Sequence, residues 1–99
     1  MYKDIHKSEF EAKVSELVPI FDDINLALKN LKKWSTGKSV ERSHPKIIWA
    51  LDSLELHPEP YGLVLIIAPW NYPINLSLVP LIGAIAAGNA VILKVEIYR

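Results

Sequence analysis

A chain of 99 residues holds one domain at most, and its 11 basic and 11 acidic side chains cancel to a formal net charge of zero. That balance excludes a global field for gathering nucleic acid or anionic lipid. The absence of cysteine excludes a disulfide framework, a thiolate metal site and a thiol nucleophile within these residues, and it fits a reducing compartment.

The 51% hydrophobic content is far too high for a disordered chain. The first ten residues, MYKDIHKSEF, contain no apolar run of the kind found in a secretory signal, so a cytoplasmic location is expected. No internal repeat or low-complexity tract is present. The charges are unevenly placed: nearly all fall in residues 1–59, and residues 60–93 carry none. The last third is therefore expected to be covered by protein rather than by water.

The first predicted element is helical and spans residues 8–34. Ser8 followed by Glu11 matches a capping box. Phe10, Val14, Leu17, Phe21, Ile24, Leu28 and Leu31 recur at spacings of four and three, which makes one apolar face. Pro19 lacks an N–H and clashes with the carbonyl four residues back, so a kink or break is expected near Val18. Gly37 marks the end of the helix. The seven-residue recurrence also suits a coiled coil, but it covers too few repeats and contains the proline. Asp22 and Asp23 read as a solvated helix face.

Residues 35–45 are a polar connector. Residues 46–57 read as extended, from Ile47, Ile48, Trp49 and the alternation of Leu54 and Leu56, and the segment closes at Pro58 and Pro60. Residues 62–68 are a continuous β-rich apolar run, the pattern of a strand buried on both faces, and Pro69 ends it. Pro73 suits the first position of a helix. Pro80 is expected to kink or restart that helix, and Gly88 with Asn89 offers the left-handed conformation that ends one. Residues 90–94 are a second buried strand. Strand, helix and strand within 62–94 have the length of a right-handed βαβ crossover. The expected fold class is thus α/β: N-terminal amphipathic helices, an extended segment, then a βαβ unit from a parallel Rossmann-like sheet. The competing reading, a membrane hairpin over 63–93, is weakened by the prolines and asparagines spaced through the run.

In open α/β sheets ligands bind beyond the carboxyl ends of the strands. The segment PWNYP follows the first strand, and Lys94 ends the second. Asn71 could present an amide N–H to a developing oxyanion, or it could be a turn residue. Lys94 could donate to a ribose or phosphate, or could cap the strand with charge.

Other motifs are silent. GAIAAG at 83–88 has neither the spacing nor the place of a dinucleotide fingerprint. His6, His44 and His57 lack metal-ligand spacing. Trp34, Trp49 and Trp70 read as packing residues. Ser77 lacks the context of a nucleophile.

The stretch PEPYGLVLIIAPWNYPINLSLVPLIGAIAAGNAVILK (58–94) closely resembles the N-terminal, cofactor-binding region of the NAD(P)-dependent aldehyde dehydrogenases. DIHKSEFEAKVSELVPIFDDINLALKNLKKW (4–34) is similar to the preceding helical segment of the class 3, fatty-aldehyde branch. EP-x-G, PWNYP, GAIAAGNA and the closing lysine carry the likeness. It implies the family chemistry: a cysteine thiolate attacks the aldehyde carbon, a hydride passes to the nicotinamide of NAD or NADP, and a glutamate base assists hydrolysis of the thioester. It also implies that Asn71 helps hold the oxyanion, that the backbone of Ile67, Ala68, Pro69 and Trp70 lies along the cofactor, and that Lys94 contacts the adenosine ribose.

The chain departs from the family after Lys94. Where K-P-S-E is usual, it reads Val95, Glu96, Ile97, Tyr98 and Arg99, with Glu96 one position early. The cysteine, the glutamate base and the later glycine-rich segment are not among its residues. The expectation is a fragment, residues 1–99 of a partial cofactor-binding domain with an atypical tail at 95–99. Such a fragment is expected to be inactive by itself and poorly soluble. The alternatives are a non-catalytic partner of a full-length relative, docking through 8–34 and 54–57, and a small membrane-associated protein. No metal or nucleic acid partner is expected.

Overall fold

The computed structural model describes residues 1–40 and 53–96. The expected extended segment at 46–52, the connector at 41–45 and the tail at 97–99 fall outside the described residues.

A short helix, α1 (Tyr2–Ile5), precedes His6, whose φ of 54° is a left-handed turn outside glycine. Ser8 then caps α2 (Glu9–Ala12), its Oγ accepting from the Glu11 N–H at 3.1 Å. The chain does not break at Val18. A π-helical turn (Lys13–Leu17) leads straight into α3 (Val18–Ser35), with Pro19 in its first turn. An α-helical donor at position 19 would have bonded to the Ser15 carbonyl, and proline has no such donor. That carbonyl instead accepts from Asn75 Nδ2 at 2.8 Å, so a distant side chain supplies a partner there and the helix continues.

At the other end of α3, the Thr36 hydroxyl at 2.6 Å and the Ser35 hydroxyl at 3.2 Å both donate to the Lys32 carbonyl, and the helix stops two residues short of Gly37. Part of the expected connector is a strand. Here β1 (Lys38–Ser39) pairs antiparallel with β2 (Glu55–Leu56), Lys38 opposite Leu56 and Ser39 opposite Glu55.

The crossover unit follows as β3 (Leu63–Ala68), α4 (Asn75–Ala86) and β4 (Ala90–Val95). The two strands pair in parallel from Leu63 opposite Ala90 to Ala68 opposite Val95. Helix α4 starts at Asn75 rather than at Pro73, and it runs unbroken through an exposed Pro80. The proline costs one backbone bond, while packing against α3, β3 and β4 holds the rest. Twelve residues make about 18 Å of helix, and among the described residues no helix is long and apolar enough to cross a membrane.

At its C-terminus α4 ends in a Schellman motif. Gly88, at φ 86°, donates to Ile85 O at 2.9 Å, and Asn89 N donates to Ala84 O at 3.0 Å. The Asn89 side chain bonds both ways. Its Nδ2 donates to Ala84 O at 3.2 Å, and its Oδ1 accepts from the Gly62 N–H at 2.9 Å. One side chain therefore ties the end of the helix to the start of β3.

Burial departs from the expected face in α3 and is one-sided in β3. Besides Pro19, the α3 positions least open to solvent are Ile20, Asp23, Ala27 and Asn30, continuing from Glu16 at spacings of four and three, on the side that packs on α4. The apolar face read from the sequence lies to one side of this: Phe10 is 77% exposed and Leu28 72%. Similarly, β3 is not buried on both faces. Ile66 and Ala68 are buried beneath α4, but Leu63, Leu65 and Ile67 alternate with them and remain more than half exposed. The cause is a missing layer, because among the described residues α4 covers one face of the strand pair only.

The accessible surface is 8400 Å² for 11.2 kDa, against about 5,700 Å² for a globular monomer of that mass. The radius of gyration is 19.8 Å, where a compact domain of this length has about 13 Å.

Candidate functional site

The carboxyl ends of β3 and β4 lie side by side, and every residue singled out in the sequence falls on or just beyond that edge. Register puts Ile67 beside Lys94 and Ala68 beside Val95. Alternation turns Ile67 and Lys94 to the open face, away from α4, where both are exposed. Lys94 is the only charged side chain between residues 60 and 95, and the exposed Glu96 follows it at the same edge, its N–H bonded to Ala68 O at 2.9 Å. Ala68 is 1% exposed, and its carbonyl already accepts from Glu96. Pro69 follows, Trp70 keeps 48% of its surface, and Asn71 sits exposed in the turn that leads to α4.

Three polar residues that the sequence reading passed over hold that turn in place. Glu16 is completely buried. Its Oε2 accepts from the backbone N–H of Ile74 at 3.1 Å and of Asn75 at 2.8 Å, the first amides of α4. Its Oε1 takes an ion pair from Lys7 Nζ at 3.0 Å. The same ammonium stands 3.3 Å from the centroid of the Tyr72 ring, a cation–π contact one residue from Asn71. The third residue, Asn75, reaches back to Ser15 O, and the buried Ser77 hydroxyl donates to the Pro73 carbonyl.

A spacing of nine between Lys7 and Glu16 is no helical neighbour distance, so periodicity could not have found the pair. One signal was available. The cap position of α4 is Ile74, which has no side-chain acceptor, and a helix start without its own cap needs an acceptor from elsewhere.

Because Glu16 fills the N-terminus of α4, those amides are not free for a ligand phosphate. Lys94 stays exposed on the strand edge, while the N-terminus of this helix is already filled by a carboxylate and does not fit a pyrophosphate. Among the described residues no group of His, Cys, Asp and Glu could hold a metal ion. Two shallow cavities of about 210 and 230 Å³ flank Trp34 beside Pro58, near the C-terminus of α4 and β2, far along the helix from Asn71.

The chain matches the sequence pattern of the aldehyde dehydrogenase family over residues 3–97. It is 54% identical over 92 residues to mouse aldehyde dehydrogenase family 3 member B1 and 52% identical to the human protein of that name; both alignments cover 93% of this chain and 19% of the relative. It is 46% identical over 91 residues to family 3 member A2 of Pongo abelii, covering 92% of this chain and 18% of that one. A solved structure, the substrate-bound state of Staphylococcus aureus AldH, superposes with a TM-score of 0.85 at 42% identity, over 93% of this chain and 19% of the other. The chain thus spans about a fifth of the length of the relatives it matches.

Proposed function

The chain belongs to the aldehyde dehydrogenase family, and from that premise we propose that it supplies the opening strand pair of a cofactor layer used to oxidise aldehydes with NAD or NADP. In this proposal Asn71 donates its amide N–H to the oxyanion formed when a nucleophile adds to the aldehyde carbonyl. Such a donor acts by stabilising charge that appears only in the transition state. The backbone of Ile67, Ala68, Pro69 and Trp70 lies along the cofactor, and Lys94 donates to the adenosine ribose. The nicotinamide, when bound, accepts the hydride.

The observation that carries the reading is register: Ile67 and Lys94 are paired neighbours, and Asn71 is exposed just past the same strand end. The same proposal holds residues 1–99 to be part of a cofactor-binding domain. It places the protein in the cytoplasm, which the cysteine-free composition fits.

These 99 residues contain no cysteine, so by themselves they hold no thiolate to form the thioester, and losing a covalent nucleophile removes the pathway. Purified chain mixed with aldehyde and NAD or NADP is expected to yield no reduced nicotinamide above a no-protein control. Residues 58–94 grafted into the mouse B1 relative are expected to support turnover. In that graft Asn71→Ala should lower kcat by about 10²–10³-fold, and Lys94→Met should raise KM for the dinucleotide. Turnover by the isolated chain, or an unchanged kcat in the Asn71 graft, rejects the proposal.

A second reading rests on the bare sheet face of Leu63, Leu65, Ile67 and Ile92: the chain associates with a full-length relative and performs no chemistry. Co-purification with an intact aldehyde dehydrogenase supports it, and separate elution discards it.

A further inference from the structure

Anions bind at helix N-termini because the first amides have no partner within the helix and the helix dipole points positive there. Helix α4 has this geometry directly after a parallel strand. Its first two amides, however, end on a carboxylate of the same chain, 58 and 59 residues away in sequence. The carboxylate is wholly out of water, and Lys7, itself 9% exposed, neutralises it from the other side. A buried carboxylate is costly unless its charge is paired and its lone pairs are used. Here both oxygens are used, and among the described residues no buried side-chain nitrogen or oxygen lacks a partner.

We propose that Glu16 is the built-in anion of the crossover helix. It takes the place at the α4 N-terminus that a ligand phosphate takes in nucleotide-binding βαβ units, and with Lys7 it fixes the turn that carries Asn71. Glu16 and Lys7 are positioning residues, since they act through Ile74, Asn75 and Tyr72. The consequence for Asn71 rests on the oxyanion reading above, whereas the anion itself does not.

The test is hydrogen exchange followed by mass spectrometry on the full chain at low micromolar concentration, without aldehyde or cofactor. In the wild-type chain the Ile74 and Asn75 amides are protected, and added inorganic phosphate changes nothing. In Glu16→Ala they exchange about tenfold faster or more, as for buried donors left unsatisfied. Formate restores most of the protection, chloride at equal ionic strength does not, and phosphate now protects the same two amides. Glu16→Gln keeps the shape and one acceptor oxygen, and gives an intermediate acceleration confined to these amides.

Unprotected amides in the wild-type chain, phosphate protection of the wild-type chain, or a formate effect no larger than that of chloride overturns the proposal. If Glu16→Ala unfolds, refolding driven by formate supports it, and an unchanged Glu16→Gln overturns it. Failure here leaves the Asn71 graft experiment untouched, and failure of the graft leaves this result standing.

Discussion

At the start of α4 a buried carboxylate and ammonium meet a half-buried amide side chain and two backbone N–H groups, each with a named partner. On the outer face of β3, a few residues earlier, Leu63, Leu65 and Ile67 stand more than half exposed. The first region is complete within this chain, while the second presents a surface whose complement is not among the described residues. Polar groups had to be satisfied locally, because an unpaired buried charge costs several kcal/mol. Apolar side chains left in water forgo a gain of roughly 25 cal/mol per Å², which a further layer can supply. The contrast is what a piece of a layered α/β domain should show: closed polar joints between its own elements and open apolar faces where the next layer lies.

Four single substitutions and one double variant put pressure on that contrast. The largest effect is expected from Lys7→Met, which leaves the Glu16 carboxylate buried without its cation and should cost about 3–5 kcal/mol, read as a lowered urea midpoint. Adding Glu16→Gln should recover part of the loss. A double variant no more stable than the single would mean that Lys7 contributes packing rather than charge.

Next comes a pair on one strand. Ile66→Ala, beneath α4, should cost about 2–5 kcal/mol, whereas Leu65→Ala, 59% exposed on the opposite face, should stay within about 0.5 kcal/mol. Equal losses would show that both faces are covered in solution. The smallest thermodynamic effect is expected from Leu65→Lys, which should leave the midpoint in place and reduce self-association in sedimentation velocity, since a charge on an exposed strand blocks edge and face pairing. Unchanged sedimentation would remove the bare face as the source of association.

The sequence made some of these features readable and hid others. The strands at 62–68 and 90–94 were visible as apolar β-rich runs, and their crossover followed from the length between them. The Ser8 cap was visible because its partner lies three residues on. Gly88 was visible because its φ of 86° suits glycine. What periodicity missed was long-range. Pro19 predicted a kink or break, and the structure answers with a π-turn and a hydrogen bond from Asn75, 60 positions from its acceptor. The apolar stripe of Phe10, Phe21 and Leu28 was readable as a face, but all three are exposed, since a hydrophobic face does not say what covers it. Glu16 looked like one more helix-surface acid. Only the folded arrangement shows that it serves another helix. For the edge itself, the sequence located Asn71 and Lys94, and the structure adds the pairing of Ile67 with Lys94 and the joint that holds the turn.

The Asn89 clasp on Gly62 also sets a timetable for synthesis. Residue 62 leaves the ribosome well before residue 89, and β3 finds its parallel partner only when β4 follows. At roughly 5–20 residues per second, the 27 positions between them occupy about 1–5 s. Through that interval Leu63, Leu65, Ile66 and Ile67 have no β4 to pair with, until the asparagine arrives to shut the loop.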